Sequence, residues 1–328
     1  MTPNGGLIEL CSITGEKLDA KKEYANVTSP AVKEAVSKAS IVHDASNFLI
    51  PAFLMSEDKK FNFVQHRISM DTWNIRTPKN VACISPTHRQ HTIYNSFGYQ
   101  PLPFPPYVSN MRGIHVKDAR VVTPDIDLDL YKPSTQDKGG YWIWFSRCVP
   151  DKGLDTFIEI ARRCPKEKFK MFGSHSHGDH YDYFYKSMES HPVPYAQMIK
   201  ETPNIELLEE DYVKDMQRRV DLIAGAKAFI FPVGLLTNYA EAFGLVLLES
   251  LACYTPVLTT PFGSVPDIID HGRTGFICSD VETFIERMGD VDKIKPYTCR
   301  QEAEKYRLGT QAESFVKLYR EVLSGETW

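Results

Sequence analysis

Tyr141-Trp-Ile-Trp-Phe-Ser-Arg-Cys-Val-Pro-Asp-Lys-Gly-Leu-Asp-Thr-Phe-Ile-Glu-Ile-Ala-Arg-Arg-Cys164 is the stretch on which the fold turns. Its first five residues are an unbroken apolar run, short enough to be a strand buried on both faces. A polar loop follows, from Ser146 to Gly153. From there Leu154, Phe157, Ile158 and Ala161 recur at helical spacing and define one apolar face. A buried strand, a tight loop and an amphipathic helix in succession predict an α/β domain with a parallel sheet.

The same alternation runs through the chain. Further strand-like runs are Lys38-Ala-Ser-Ile-Val42, Phe61-Asn-Phe-Val64, Asn80-Val-Ala-Cys-Ile84, Lys168-Phe-Lys-Met-Phe172, Ala228-Phe-Ile-Phe231 and Thr255-Pro-Val-Leu-Thr259. Each is bounded by turn-forming residues. Tyr131-Lys-Pro-Ser-Thr-Gln-Asp-Lys-Gly-Gly140 is polar, carries Pro and Gly, and precedes a fresh aromatic strand, as linkers do. The expected organisation is a first α/β domain over 1–132, a linker over 133–139 and a second α/β domain over 140–300. Residues 300–323 read as one helix, and 301–328 are expected to pack back toward the first domain. The proline-rich stretch 97–113 reads as a loop whose aromatics either pack on the surface or grip an acceptor.

The 328 residues are 42% apolar and 24% charged, which excludes disorder and collagen-like repeats. Residues 1–139 hold 16 Lys/Arg against 14 Asp/Glu, and the remainder 22 against 28, so neither half is a basic nucleic-acid surface. No apolar run approaches a membrane span, and the start lacks the pattern of a signal peptide. Seven scattered cysteines without a C-x-x-C pair predict free thiols in a reducing, cytoplasmic setting.

Chemistry concentrates in Glu241-Ala-Phe-Gly-Leu-Val-Leu-Leu-Glu249. The run between the two glutamates is apolar apart from Gly244, and reads as a buried helix. Eight residues of helix span about 12 Å, which suits two carboxylates gripping an extended ligand at separate hydroxyls. The helix start adds free amides and a positive dipole end, a seat for phosphate. On the 146–153 loop, Arg147 and Lys152 can point at one diphosphate, the first as a planar fork and the second as a point charge. Gly5 and Gly6 would let backbone amides approach a phosphate closely.

Taken together these residues closely resemble the family 4 retaining glycosyltransferases of the GT-B fold. The resemblance covers most of 140–290: the R-x4-K-G loop, Pro203-Asn-Ile-Glu-Leu-Leu, Gly225-Ala-Lys-Ala-Phe-Ile-Phe-Pro232, E-x7-E, Thr255-Pro-Val, and Pro266-Asp-Ile-Ile-Asp-His-Gly-Arg-Thr-Gly-Phe-Ile277. In the first half, Gly5-Gly6, Phe63-Val-Gln-His66 and Val121-Val-Thr-Pro-Asp-Ile-Asp127 resemble the family more faintly. The resemblance implies two Rossmann-like domains facing across a cleft, the first shortened. It implies a sugar moved from a nucleotide diphosphate donor, UDP or GDP, with retention of configuration and with neither metal nor cofactor. Arg147 and Lys152 would neutralise the leaving diphosphate, and Glu241 would hold hydroxyls of the sugar. Glu249 would hold the ribose. Amides of Ala242, Phe243, Gly244 and Leu245 would face sugar and phosphate, and His66 would sit beside the sugar. The acceptor would be a glycan, lipid or other hydroxyl compound, with peripheral membrane contact open; composition disfavours a nucleic-acid acceptor without closing it.

The sequence departs from the family pattern in places. Few residues precede the glycine loop, the 232–241 loop is long, Tyr254 stands where the family has Gly, and Ser264 and Asp267 replace the usual Gly-x-Pro-Glu. Two alternatives remain. His175, His177, Asp179 and His180 match the H-x-H-x-D-H pattern of zinc hydrolases. A non-catalytic sugar-nucleotide-binding protein is the other. Asp125-Ile-Asp-Leu-Asp129 offers a D-x-D metal pattern and reads instead as a structural turn.

Overall fold

The computed structural model describes residues 39–44, 62–67, 80–97, 116–135, 137–173, 195–208 and 215–328. Gly5, Gly6, residues 98–113, and the His175, His177, Asp179 and His180 motif lie outside the described residues. The chain divides into two compact units, one containing Met1–Thr123 with Gln311–Trp328, the other Pro124–Thr310.

In the first unit, β1 (Val42–Asp44), β2 (Phe63–Arg67), β3 (Val81–Cys83) and β4 (Arg120–Val121) form a parallel sheet in that order. Side chains of β3 alternate with the two-residue period of a strand. Val81 and Cys83 pack with Val116 and Ala119, and against Ile93 of α1 (Pro86–Phe97). Ser85 accepts from the His88 amide at 2.9 Å, and Pro86 supplies the fixed φ that opens a helix. Ala82 joins the opposite cluster, with Ile41, Val64, Val122, and Phe315, Leu318, Val322 and Trp328 from the chain's end. The Trp328 indole donates to the Val81 carbonyl at 2.9 Å, and its own carbonyl accepts from Asn80. The strand expected at 38–42 begins only at Val42, because pairing with β2 starts there.

His66 of β2 is buried beside His43 of β1, with ring centroids 5.5 Å apart and Phe315 edge-on at 4.9 Å. The His43 Nδ1 lies 2.6 Å from the Tyr319 hydroxyl. Burial pushes His43 down to about 4; burial and then the His43 charge push His66 down to about 3. Both rings are therefore neutral at pH 7. The unfolded chain takes up protons below pH 6.5 while the folded one resists, so this stabilisation is complete above 6.5 and is lost as pH falls toward 3. Hydrogen exchange of β2 and β3 amides should accelerate steeply between pH 6.5 and 4 after correction for intrinsic rates. The acceleration should shrink in His66→Gln; equal protection across that range in the native chain would contradict it.

The second unit carries six parallel strands: β5 (Tyr141–Ser146), β6 (Lys168–Gly173), β7 (Ile205–Leu207), β8 (Ala226–Phe231), β9 (Val257–Thr259) and β10 (Gly275–Ile277). Their spatial order is β10-β9-β8-β5-β6-β7. This is the doubly wound order, reversing between β5 and β8, where such sheets bind ligands outside the strands' carboxyl ends. All six β5 residues are buried, and Phe145 stacks on Phe172 at 5.2 Å and Phe229 at 4.2 Å. The helices are α2 (Leu154–Arg163), α3 (Tyr195–Lys200), α4 (Met216–Ala224), α5 (Leu245–Ala252), α6 (Val265–Ile268), α7 (Val281–Met288) and α8 (Pro296–Glu304).

The helix expected over 300–323 is two helices. α8 ends at Glu304 and α9 begins at Thr310 (Thr310–Leu323). Gly309 between them has φ +103, and the Leu308 amide is used by the Ile126 carbonyl at 2.9 Å. Ile126 in turn donates to Tyr306, and Arg300 donates to the carbonyls of Leu128, Tyr131 and Ala252. These bonds attach 124–131 to the second unit, so the division falls after Thr123. Asp125 and Asp127 accept backbone amides here: Asp125 from Gly309, Asp127 from Asp129 and Leu130.

Candidate active site

Two loops meet at the switch point. The one after β5 carries Arg147 and Lys152, and turns through a short 3-10 segment, Pro150–Lys152, into α2. The one after β8 begins at Pro232. Gly153 lets them touch: its φ is +72, and a Cβ there would lie 2.2 Å from the Pro232 carbonyl oxygen. The Gly234 amide also donates to the Asp151 carbonyl at 2.9 Å.

Lys152 and Glu241 form a buried ion pair across this junction, Nζ to Oε2 2.5 Å, with side chains 7% and 10% exposed. The ammonium also lies 4.7 Å from the Tyr239 ring centroid, a cation–π contact. Arg147 is exposed, and no described residue pairs with its guanidinium. The loop thus presents one seated and one exposed cation.

Glu241 is not on the helix, a correction to the sequence reading. Gly244, at φ +96, is the N-cap, and α5 begins at Leu245, so the two glutamates do not share one helical ladder. Glu241 instead bridges to Gly263 in parallel fashion, and its carbonyl accepts from the Ser264 amide at 2.8 Å. The Ser264 hydroxyl donates to the Ala242 carbonyl at 2.6 Å. Ala242 and Phe243 are buried and Leu245 is half exposed. The Leu247 amide turns back to the Gly244 carbonyl at 2.9 Å and the Gly244 cap offers no side chain, so the Leu245 and Val246 amides, at the positive end of the helix, are the ones placed to face an anion.

Glu249 lies one turn from the end of α5, paired with Arg219 of α4, the two side chains 15% and 13% exposed. Burial raises its carboxyl above the usual range, opposed by Arg219 and by a hydrogen bond from Tyr131. The sequence reading missed Arg219, Tyr131 and Gly263, whose signals are single residues without a pattern. His66 belongs to the first unit, in the histidine pair described above. Tyr254 takes a left-handed φ of +59, which explains why glycine suits that turn; the Arg300 guanidinium over its ring at 5.5 Å offsets part of the strain. His271, a residue the zinc alternative would need, packs on Phe276 and accepts from the Ile277 amide.

Residues 140–291 match the family profile described as Glycosyl transferases group 1. The structure is similar to that of Anabaena Alr3699/HepE, solved in complex with UDP and glucose, at a TM-score of 0.62 and 15% identity over 92% of this chain and 84% of that one. Residues 140–291 carry the match to the group 1 glycosyl transferases, and the fold is GT-B. The chain is also 47% identical over 49 residues to the N-acetyl-alpha-D-glucosaminyl L-malate synthase of Bacillus anthracis, 15% of this chain and 13% of that protein. It is 23% identical over 206 residues to a probable sucrose-phosphate synthase of Thermosipho melanesiensis, 60% and 46% of the respective chains. The chain spans less than half the length of either curated relative. The family match runs through 175–180, so the zinc-hydrolase alternative finds no support there. No helix among the described residues is long and apolar enough to cross a membrane.

Proposed function

We propose that this protein is a glycosyl transferase that moves a sugar from a nucleotide diphosphate donor to a hydroxyl acceptor, a glycan, lipid or small molecule, with retention of configuration. The observation that carries this is the Lys152–Glu241 pair at the switch point, beside the open amino end of α5. Lys152, Arg147 and the amides of Ala242 to Leu245 receive the diphosphate; Glu241 accepts hydroxyls of the sugar and Glu249 those of the ribose. Gly5, Gly6 and His66 are proposed as further donor contacts, with His66 neutral at pH 7.

The anomeric carbon–phosphate oxygen bond breaks with its electron pair going to the diphosphate. The acceptor oxygen bonds to that carbon on the same face, and its proton passes to the departing phosphate. Fixed cations and amides match the charge that develops, so the reaction needs no metal or cofactor. A UDP donor is favoured by the likeness to a fold that holds UDP and glucose. Cys148, Cys164, Cys253, Cys278 and Cys299 are free thiols, which supports a cytoplasmic setting.

A screen of UDP-glucose, UDP-N-acetylglucosamine and GDP-mannose, read by intact mass of products, tests the proposal. Turnover is expected with one of them and is expected to persist in excess EDTA. Arg147→Ala should raise the donor KM about tenfold, the loss of one exposed charge-assisted contact. Donor binding without turnover would favour the non-catalytic alternative, and activity abolished by EDTA would refute the metal-free chemistry.

A further inference from the structure

Arg219 is the partner of Glu249, and nothing in the local sequence marks it out. Four contacts aim it. Asp215 caps α4 by accepting from the Arg218 amide at 3.1 Å. Asp221 accepts from the Ser134 amide at 2.6 Å and its hydroxyl at 2.8 Å, and Gln217 donates to the Lys132 carbonyl. The helix is thereby locked to the segment that also carries Tyr131. The guanidinium then rests 5.7 Å from the Phe172 ring, near the carboxyl end of β6, on the side where the sheet presents its ligand. Its Nε is buried and has no acceptor among the described residues.

A carboxylate this enclosed faces a choice. Without a counter-charge it takes up a proton, because burial disfavours the ionised form. As a neutral acid it would lose the paired acceptor oxygens that a vicinal diol needs. The groups that face Glu249 are Arg219 from α4, Tyr131 from the 124–135 segment and Cys253 at the C-cap of its own helix, with Arg300 of α8 beyond Cys253. Of these, Arg219 alone is a cation in contact with the carboxylate.

We infer that Arg219 is a positioning residue, orienting the Glu249 carboxylate so that both its oxygens accept from the donor's ribose, and that it thereby sets a preference for ribonucleotides over deoxyribonucleotides. The inference rests on the reading of Glu249 as the ribose ligand. Arg219 touches neither the sugar nor the diphosphate in this account. Tyr131 completes the clamp from the other side.

Affinities of UDP, GDP and their 2′-deoxy forms, measured by calorimetry at pH 6, 7 and 9, test it. In the native chain the better nucleotide should bind at least about tenfold more tightly than its deoxy form, the worth of one hydrogen bond to a charged group. In Arg219→Met that ratio should fall toward one at pH 6 and 7. It should partly recover at pH 9, where the unpaired carboxyl ionises again. Arg219→Lys, which restores the charge, should recover most of the ratio at every pH, and Tyr131→Phe should reduce it only modestly. A purely structural role would weaken both forms equally and leave the ratio unmoved in all three variants, which overturns the inference alone. A native chain that binds UDP and GDP no better than their deoxy forms overturns the ribose role of Glu249 as well. Failure to bind either nucleotide overturns the donor reading itself.

Discussion

Lys152→Ala is expected to lower kcat by about 10²–10³-fold, as removal of a fixed positive partner from developing transition-state charge does. The substitution acts twice. It withdraws the cation proposed to meet the leaving diphosphate, and it strands Glu241, whose side chain is only 10% exposed, without its partner at 2.5 Å. Breaking a buried pair from one side destabilises a protein by about 3–5 kcal/mol. Stability and catalysis can be separated by the double variant Lys152→Ala/Glu241→Gln, which removes the stranded charge. Urea titration should show much of the lost stability restored in the double variant, while turnover stays low. A well-folded Lys152→Ala protein with near-native kcat would end the role assigned to this lysine.

Gly263→Ala is expected to be nearly as damaging, although residue 263 carries no functional group. Its φ is +69, and an added Cβ would stand 2.2 Å from the carbonyl oxygen of Glu241 and 2.4 Å from its amide nitrogen. Those are backbone atoms, so no rotamer change relieves the contact; the Glu241 strand must move instead. A displacement of about 1 Å at a site residue can lower activity about 100-fold. Gly272→Ala provides the control. That glycine is equally left-handed at φ +81 but has nothing within 4 Å of the added carbon. It should lose only the backbone term of about 1–2 kcal/mol, with unchanged kcat. Equal kinetics for the two alanine variants would show that Gly263 does not hold Glu241.

The α/β class and the position of the site loop were legible at once, because the signals are local. Five consecutive apolar residues from Tyr141 and a 3.6-residue apolar period from Leu154 record burial in adjacent positions, and both elements fall there in the structure. The same logic fails for β4, β7 and β10, edge strands of two or three residues that are too short to show a period. It fails again at Gly244. The apolar run 242–248 carries no mark of where the helix begins, and the left-handed turn that removes Glu241 from α5 is decided by the bridge to Gly263.

Residue types and spacing were therefore enough to nominate Arg147, Lys152, Glu241 and Glu249, since a cation or carboxylate announces its chemistry wherever it stands. What they pair with was not a property of the sequence alone. Lys152 meets Glu241 across 89 positions and Arg219 meets Glu249 across 30. Both meetings depend on β8 lying beside β5 and on α4 being tied to the segment before it. Those placements follow from how whole layers bury their apolar faces against one another, a global balance that no local period records.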